Sequence, residues 1–342
     1  MPVAQTEASA LHYRLPTMNA HAIRMSTQGP PDVMTLEPVS VPEPAAGEAL
    51  VRQTACGINY LDTYHRSGLY QLPMPSGVGG EAAGVVERVG PGVTDVRPGE
   101  RVAYVHNVPG AYTTHRIMPA ARLVTLPDHV SDEVAAATML KGMTVEYLLN
   151  RTYPVKRGDV VLFWAAAGGV GLLAGQWGKH LGARMIGVAG GADKCRLARE
   201  RGYDDVIDRT REDVAERVKA ITGGKGVPVV YDSVGKASFE ASLTSLRPRG
   251  VFVSFGTTTG APPPVEAATL QKHGSLYLTR PTLFTYISTR EELLASAGAL
   301  FDLLKRGALT VHIGARYPLA EAARAHTDLE AGRTAGSSLL IP

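Results

Sequence analysis

The sequence has few cysteines and no long apolar run, and each shortage excludes a class of protein. Its 342 residues include only Cys56 and Cys195, so one chain can form neither a disulfide scaffold nor a four-cysteine zinc site. No apolar stretch approaches the roughly 20 residues that a membrane span needs. Lys and Arg (35) nearly balance Asp and Glu (32), and no dense basic run suggests nucleic-acid binding. We therefore expect a cytoplasmic protein with reduced thiols.

The composition favours a folded chain. Hydrophobic residues make up 44% and charged residues 20%, enough to build a sizeable buried core. At roughly 150 residues per domain, the length indicates about two domains. Residues 1–18 lack the basic segment and apolar core of a secretory signal, and we expect them to be a disordered extension.

Local patterns predict two kinds of structure along the chain. From Ala20 to about Leu126, short strand-like runs alternate with Pro- and Gly-rich turns, which predicts a small, mostly antiparallel barrel or sandwich. From Asp159 the order becomes strand, glycine turn and helix, which is typical of a doubly wound parallel sheet. Between these regions we expect two helices, one capped by Ser131 and one over about residues 142–150.

The C-terminal part is expected to return to the first domain. A helix from about Thr289 to Lys305 begins with Thr289 and Glu292 in capping-box spacing. The strand and helix patterns after it, which end with Ser338–Ile341, resemble the first region more than the second. The predicted fold class is therefore α/β, with a mostly β domain and a parallel-sheet domain.

A glycine-rich turn follows the predicted strand at residues 160–165. It consists of Gly168, Gly169, Val170 and Gly171 and opens a predicted helix that ends at Gly182. Glycines let the backbone turn sharply and approach a pyrophosphate, while the helix N-terminus supplies N–H groups. With strand, helix and second strand in register, the turn predicts dinucleotide binding.

The end of the second predicted strand distinguishes NADPH from NADH. NAD sites usually carry Asp or Glu about 20 residues after the first glycine, to bind the ribose 2′-hydroxyl. Small residues including Gly190 stand there, and Lys194 follows. Asp193 is either a ribose ligand or a helix cap. With Arg209 and Arg333 as additional cations, the pattern favours NADPH.

Nine segments together resemble one known family. They are Gly57–Tyr64, Arg66–Tyr70, Glu81–Gly84, Lys141–Gly142, Gly168–Gly171, Tyr231–Gly235, Gly274–Tyr277, Thr279–Pro281 and Gly336–Pro342. With these motifs, nearly the whole chain after Met18 resembles the zinc-independent quinone oxidoreductases of the medium-chain dehydrogenase/reductase superfamily.

The resemblance implies a specific domain arrangement. A GroES-like, mostly β catalytic domain would comprise residues 19–141 and 283–342, and a Rossmann NADP-binding domain residues 142–282. It also implies a homodimer joined through the nucleotide-binding domains. The apolar runs at 250–255 and 275–278 would leave a sheet edge for the partner to cover.

No metal is expected. In the zinc-dependent relatives a cysteine stands at the position of Asn59 and a histidine at that of Gly80, and neither residue found here replaces a thiolate or imidazole at zinc. Cys56 is interpreted as a small buried hydrophobic residue. His65 and His326 are interpreted as surface or packing residues.

In the quinone reduction that the resemblance implies, one quinone oxygen gains negative charge when the quinone accepts a hydride. Three side chains are candidate hydrogen-bond donors to that oxygen. They are Asn59, Tyr64 and Arg280. The alternatives are that Asn59 only fixes a turn, that Tyr64 only holds the nicotinamide, and that Arg280 only braces a hinge.

The resemblance also implies the cofactor contacts. These are Tyr60, Asp62, Tyr64, Tyr147, Gly168, Gly169, Val170, Gly171, Gly190, Lys194, Arg209, Ser233, Phe255, Gly256, Leu283 and Arg333. Two positions depart from the family pattern, because Arg209 replaces a tyrosine and Thr257 an asparagine.

The predicted function is NADPH-dependent reduction of a small-molecule quinone. The first alternative is reduction of α,β-unsaturated ketones or aldehydes, which uses the same hydride geometry. The second is a cofactor-binding sensor or RNA-binding protein without turnover, although the absence of a basic stripe weakens the RNA hypothesis.

Overall fold

A computed structural model describes residues 18–342, so all but Met18 of the expected N-terminal extension lies outside the described residues. The strands are β1 (Met18–Met25), β2 (Thr35–Val41), β3 (Glu48–Ile58), β4 (Ser76–Gly77), β5 (Glu81–Val89), β6 (Arg101–Val105), β7 (His115–Pro119), β8 (Val124–Thr125), β9 (Val160–Trp164), β10 (Arg184–Ala189), β11 (Asp205–Asp208), β12 (Val227–Asp232), β13 (Leu246–Ser254), β14 (Tyr277–Thr279), β15 (Ile313–Pro318) and β16 (Ser337–Ile341). The α-helices are α1 (Tyr60–Ser67), α2 (Asp132–Tyr147), α3 (Gly169–Leu181), α4 (Ala192–Glu200), α5 (Val214–Thr222), α6 (Phe239–Ser245), α7 (Ala267–Lys272), α8 (Leu283–Tyr286), α9 (Arg290–Lys305) and α10 (Ala322–Glu330).

The N-terminal strands build two mostly antiparallel sheets, as the short strand-like runs predict. One sheet has the order β2-β1-β4, and the other the order β15-β16-β3-β5-β6-β8, with β7 also paired to β3. β16 pairs antiparallel with β3, so the end of the chain returns to this domain. The predicted return is therefore confirmed.

The second half forms one parallel sheet of six strands in the order β11-β10-β9-β12-β13-β14. This is the strand order of a doubly wound dinucleotide-binding fold. The central strand β9 is apolar throughout because both of its faces are covered. Val161 and Phe163 pack into the cluster on one face, and Leu162 and Trp164 into that on the other.

The sequence predicted two helices before the parallel sheet, but the structure has one continuous helix there, so that prediction is wrong. Ser131 caps α2 by accepting a hydrogen bond from the N–H of Val134, as expected. The helix then continues through Gly142 and ends in a five-residue π-helical turn, Leu148–Thr152. Gly142 does not break the helix; it lies where α2 meets Leu300 of α9, and a Cβ there would come within 2.5 Å of Leu300. The predicted domain boundary at 141/142 falls inside this helix, and the domain division stays a prediction.

Among the residues that the structure describes, none of the helices combines the length and apolar composition that crossing a bilayer requires.

Candidate active site

A cleft of about 840 Å³ lies between the mostly antiparallel sheet that contains β3 and β16 and the parallel sheet. One wall comes from the start of α1, and the opposite wall from the carboxyl ends of the parallel strands. In doubly wound sheets, nucleotides bind at that edge, where the strand order reverses. Most residues expected to touch the cofactor line it: Tyr60, Tyr64, Tyr147, Gly168, Gly169, Val170, Gly171, Gly190, Lys194, Arg209, Ser233, Phe255, Gly256 and Leu283.

The glycine turn has the geometry that a pyrophosphate needs. Gly168 precedes the first residue of α3, and no side chain caps the N-terminal N–H groups of this helix. A Cβ on Gly171 would collide with the carbonyl group of Ala165, so the turn can close this tightly only with glycine. Gly336 pairs with the turn, because its N–H donates to the Ala167 carbonyl at 3.0 Å. The turn therefore presents free N–H groups to the cleft, which fits a dinucleotide diphosphate.

Two cationic side chains, Lys194 and Arg209, line the end of the cleft near the start of α4. Lys194 lines it and donates to the carbonyl oxygen of Gly332 at 2.7 Å. Arg209 lies over Gly190, whose added Cβ would stand 3.3 Å from the arginine Nε. Arg333 does not line the cleft, since its guanidinium pairs with Asp328 at 2.6 Å.

Asp193 points away from this end of the cleft. Its side chain is 96% exposed and pairs with Arg196 at 3.3 Å. Neither role considered for it from the sequence appears, because Gly191 occupies the N-cap of α4 and Asp193 does not line the cleft.

Asn59 and Tyr64 reach the other end of the cleft from α1. The Nδ2 of Asn59 donates to Oε2 of Glu81 at 2.8 Å, which fixes the orientation of the amide. The backbone N–H of Thr257, across the cleft, donates to the Tyr64 hydroxyl at 3.1 Å. Burial raises the pKa of Tyr64, and the bond from Thr257 offsets part of that rise. The phenol is therefore protonated at neutral pH and keeps its own O–H for another acceptor.

Asp62 is buried behind the cleft rather than lining it. Its Oδ2 accepts the backbone N–H of Asn59 at 2.8 Å and the Tyr112 hydroxyl at 2.8 Å. Burial raises the pKa of Asp62 to about 7. Through its bond to the Asn59 N–H, the carboxyl holds the start of α1. Because Asp62 does not line the cleft, it would act on the cofactor only through the residues that it holds.

Arg280 lines the cleft, and one of its guanidinium nitrogens is already engaged in hydrogen bonds. Its Nη1 donates to the carbonyl oxygens of Ser254 and Gly256, both at 3.0 Å. These bonds hold the segment after β13 that carries Phe255. The bracing alternative is thus present in the structure, next to the donors at Asn59 and Tyr64.

The sequence prediction missed a buried ion pair at the base of the cleft. Glu81 is fully buried, and its Oε2 lies 3.2 Å from Nζ of Lys141 on α2. Its Oε1 accepts the N–H of Leu140 at 2.6 Å. A Cβ on Gly57 would collide with this carboxylate, so the glycine leaves the space that Glu81 fills. Both charged residues lie in segments singled out for their motifs, but only the fold brings them beside Asn59.

Two further interpretations concern Cys56 and His326. Cys56 is fully buried, and burial raises its thiol pKa to about 12, which agrees with a packing role. His326 is fully buried too, and its Nε2 lies 3.1 Å from the Tyr112 hydroxyl. Within residues 18–342, no three His, Cys, Asp or Glu side chains come together as a metal-binding group.

The chain has relatives over nearly its whole length. It matches the families described as "Alcohol dehydrogenase GroES-like domain", over residues 45–128, and "Zinc-binding dehydrogenase", over residues 169–297. A Pseudomonas aeruginosa protein named "Quinone oxidoreductase" is 49% identical over 324 residues, 94% of this chain and 100% of that protein. A Burkholderia protein named "2-haloacrylate reductase" is 45% identical, covering 92% and 97% of the two chains.

A solved structure extends this similarity to the fold. The Escherichia coli quinone oxidoreductase complexed with NADPH superimposes with a TM-score of 0.93 at 48% identity, covering 94% of this chain and 100% of that one. The GroES-like plus Rossmann architecture predicted from the sequence is confirmed.

Proposed function

We propose that this chain, which belongs to the quinone oxidoreductase family of the medium-chain dehydrogenases and reductases, reduces quinones with NADPH and without a metal. The observation that carries the proposal is a single cleft with a diphosphate-binding turn at its centre and two oriented donors, Asn59 and Tyr64, at one end. The donor set also supports it, since the amide of Asn59 and the bare backbone of Gly80 stand where zinc would need a thiolate and an imidazole.

Bound NADPH would supply the hydride, and the residues of the chain would supply orientation and hydrogen bonds. A quinone that gains hydride becomes a hydroquinone anion, whose charge collects on one oxygen. Tyr64 can donate its O–H to that oxygen, because its own oxygen is held by Thr257. The second N–H of the Asn59 amide is the other donor. We assign Arg280 to bracing the loop after β13, which keeps Phe255 in the cleft wall.

The cation-rich end of the cleft supports NADPH rather than NADH. A 2′-phosphate brings nearly two negative charges and favours fixed cations with no competing carboxylate nearby. Lys194 and Arg209 line the cleft, and Asp193 is turned to solvent. Two carboxylates, Glu212 and Asp213, also line it, but Glu212 pairs with Arg217 and Asp213 caps α5 by accepting the N–H of Glu216. Arg333 would have to leave Asp328 to take part.

The experiment is steady-state oxidation of NADPH with a panel of quinones and α,β-unsaturated carbonyl compounds. We expect the wild-type protein to turn over quinones rapidly. Tyr64→Phe and Asn59→Ala should each lower kcat by more than about tenfold, because each removes a donor to the charged oxygen. The 45% identity to a 2-haloacrylate reductase favours reduction of a C=C bond next to a carbonyl group, as in enones, as the second candidate. Turnover of enones alone would favour that candidate, and NADPH binding with no turnover of either panel would favour a sensor.

We further propose a homodimer joined through the parallel sheets. β14 is an edge strand that pairs only with β13 in the described chain, and its Tyr277 and Leu278 are exposed. Exposed apolar edge strands are usually covered.

We place the protein in the cytoplasm, because both cysteines, Cys56 and Cys195, are free buried thiols, as is usual in a reducing compartment.

A further inference from the structure

Lys141 is a buried cation in the wall of the cleft that the hydride chemistry described above does not use. It is 5% exposed, lies on α2, and lines the cleft. Its ammonium has three N–H donors. Within residues 18–342, its single hydrogen-bond partner is Oε2 of Glu81, at 3.2 Å. Two donors are thus left for a group that the chain itself does not provide.

Fold stability is a weak reason for a buried lysine at this position. Burying an ion pair removes both charges from water, and an apolar pair of similar size is often as stable or more so. A buried ammonium with one partner is also poorly satisfied. Stability alone therefore does not explain a lysine at this position, and a ligand with negative or polar oxygens would.

The position of Lys141 identifies which part of a ligand it would meet. Its methylene groups cross Gly169 of the diphosphate turn, where an added Cβ would come within 2.7 Å of Cδ and 2.9 Å of Cε. The same Glu81 oxygen that holds the Lys141 ammonium also accepts the amide of Asn59. The ammonium therefore lies between the turn and the hydride-accepting end of the cleft.

We propose that Lys141 is a cofactor-binding residue whose ammonium donates to the phosphate and ribose oxygens of the nicotinamide half of NADPH. Glu81 holds the ammonium in place for this contact and fixes Asn59 at the same time. The proposal rests on the proposed NADPH site. It also gives a reason for glycine at 169, since a side chain there would push Lys141 aside.

The test is calorimetric titration of Lys141→Met with three ligands. Losing a charge-assisted contact should weaken binding of NADPH and of 2′-phospho-ADP-ribose about ten- to a hundredfold. Adenosine 2′,5′-bisphosphate lacks the phosphate and the ribose of the nicotinamide half, so its Kd should stay unchanged. Unchanged binding of that ligand also shows that the parallel-sheet domain is folded. Lys219→Met is the matched control, because Lys219 is an exposed lysine paired with Glu216.

A second variant separates ligand contact from disturbance of the ion pair. Lys141→Met alone leaves the Glu81 carboxylate buried without its cation, whereas Lys141→Met with Glu81→Gln removes both charges. The double variant should bind NADPH as weakly as the single one. Wild-type affinity for NADPH in either variant would overturn the proposal.

Failure of the proposed function gives a different pattern. A wild-type protein that binds NADPH but reduces no quinone refutes quinone reduction, while the same titrations still decide the role of Lys141. A wild-type protein that does not bind NADPH refutes both.

Discussion

At the scale of single residues, cofactor choice depends on the charge at one end of the cleft. Lys194 lines the cleft, whereas Asp193 beside it is turned to solvent. We expect Lys194→Ala to raise the KM for NADPH about ten- to a hundredfold, because it removes a charge-assisted contact to the 2′-phosphate. The KM for NADH should stay almost unchanged. Steady-state kinetics with both cofactors measures the difference.

Asp193→Ala is the matched control at the neighbouring position. Its carboxylate lies outside the cleft, so the variant should leave NADPH use unchanged or improve it slightly. A wild-type preference for NADH, or a selective loss of NADH use in Asp193→Ala, would make Asp193 a ribose ligand after all.

A second prediction at this scale concerns His326. Burial and the charge of Arg66 lower its pKa to about 3, whereas an unfolded histidine titrates near 6.5. Below pH 6.5 the unfolded state therefore binds a proton that the folded state does not, so His326 reduces stability as the pH falls. The loss is about 1.4 kcal/mol per pH unit, or about 2 kcal/mol at pH 5.

Asp62 has the opposite effect on the pH dependence of stability, so the contribution of His326 is measured by comparing a variant with the wild type. With its pKa raised to about 7, Asp62 takes up a proton in the folded state first and favours folding as the pH falls from 7 to 4. We expect the stability of His326→Gln, relative to wild type, to rise by about 2 kcal/mol between pH 7 and pH 5. Urea unfolding at both pH values checks this, and a difference that does not change with pH would contradict it.

At the scale of elements, the sequence predicted most strands and helices but not the length of α2. Hydrophobic runs bounded by glycine or proline located β9 and α3, and capping spacing located the start of α9. The sequence placed the start of a second helix at about residue 142, whereas Gly142, a poor helix former, lies inside α2. The reason for that glycine is the approach of Leu300, which is far away in sequence, and a local pattern carries no information about it.

The close approach of α2 and α9 gives a prediction for Gly142→Ala. The new methyl group would lie 2.5 Å and 2.7 Å from the two Cδ atoms of Leu300, and overpacking of this kind typically costs about 1–3 kcal/mol. The gain of up to about 1 kcal/mol in helix propensity offsets only part of it. We expect a net loss in free energy of unfolding, measured by urea denaturation.

Gly298 supplies the control on the facing helix. It also lies inside α9, but nothing is within 4 Å of its added Cβ. Gly298→Ala should therefore raise the free energy of unfolding by about 0.5–1 kcal/mol. Equal changes in the free energy of unfolding for the two substitutions would show that helix propensity alone determines the effect, and that the contact with Leu300 does not.

At the scale of the whole molecule, the sequence predicted the class of each domain but not how side chains meet between elements. The alternation of strand and helix is local, so it indicated the parallel sheet, and the glycine turn indicated the diphosphate site. The ion pair of Glu81 with Lys141 joins β5 to α2, and the bond from Thr257 to Tyr64 joins the end of one sheet to α1. Such contacts depend on how elements that are far apart in the sequence pack together, and only a family pattern or a structure reveals them.

The proposed dimer is the last property of the whole molecule to test. Tyr277 is 63% exposed and Leu278 39% exposed on the edge strand β14, whose outer backbone groups have no partner strand within residues 18–342. Lysine on an edge strand opposes pairing with another strand, because a charge would have to be buried. Light scattering at micromolar concentration should give twice the chain mass of 36.2 kDa for wild type and a mass close to that of one chain for Tyr277→Lys with Leu278→Lys.

Leu36→Lys serves as the control for added charge, since Leu36 is exposed to a similar degree (42%) but lies on β2, in the other domain. It should remain dimeric. A monomeric wild type would contradict the dimer itself, whereas a dimer that survives both lysines at β14 would place the interface on another surface. Because Tyr277 and Leu278 do not line the cleft, the monomeric variant should still bind NADPH, so loss of association and loss of the site can be told apart.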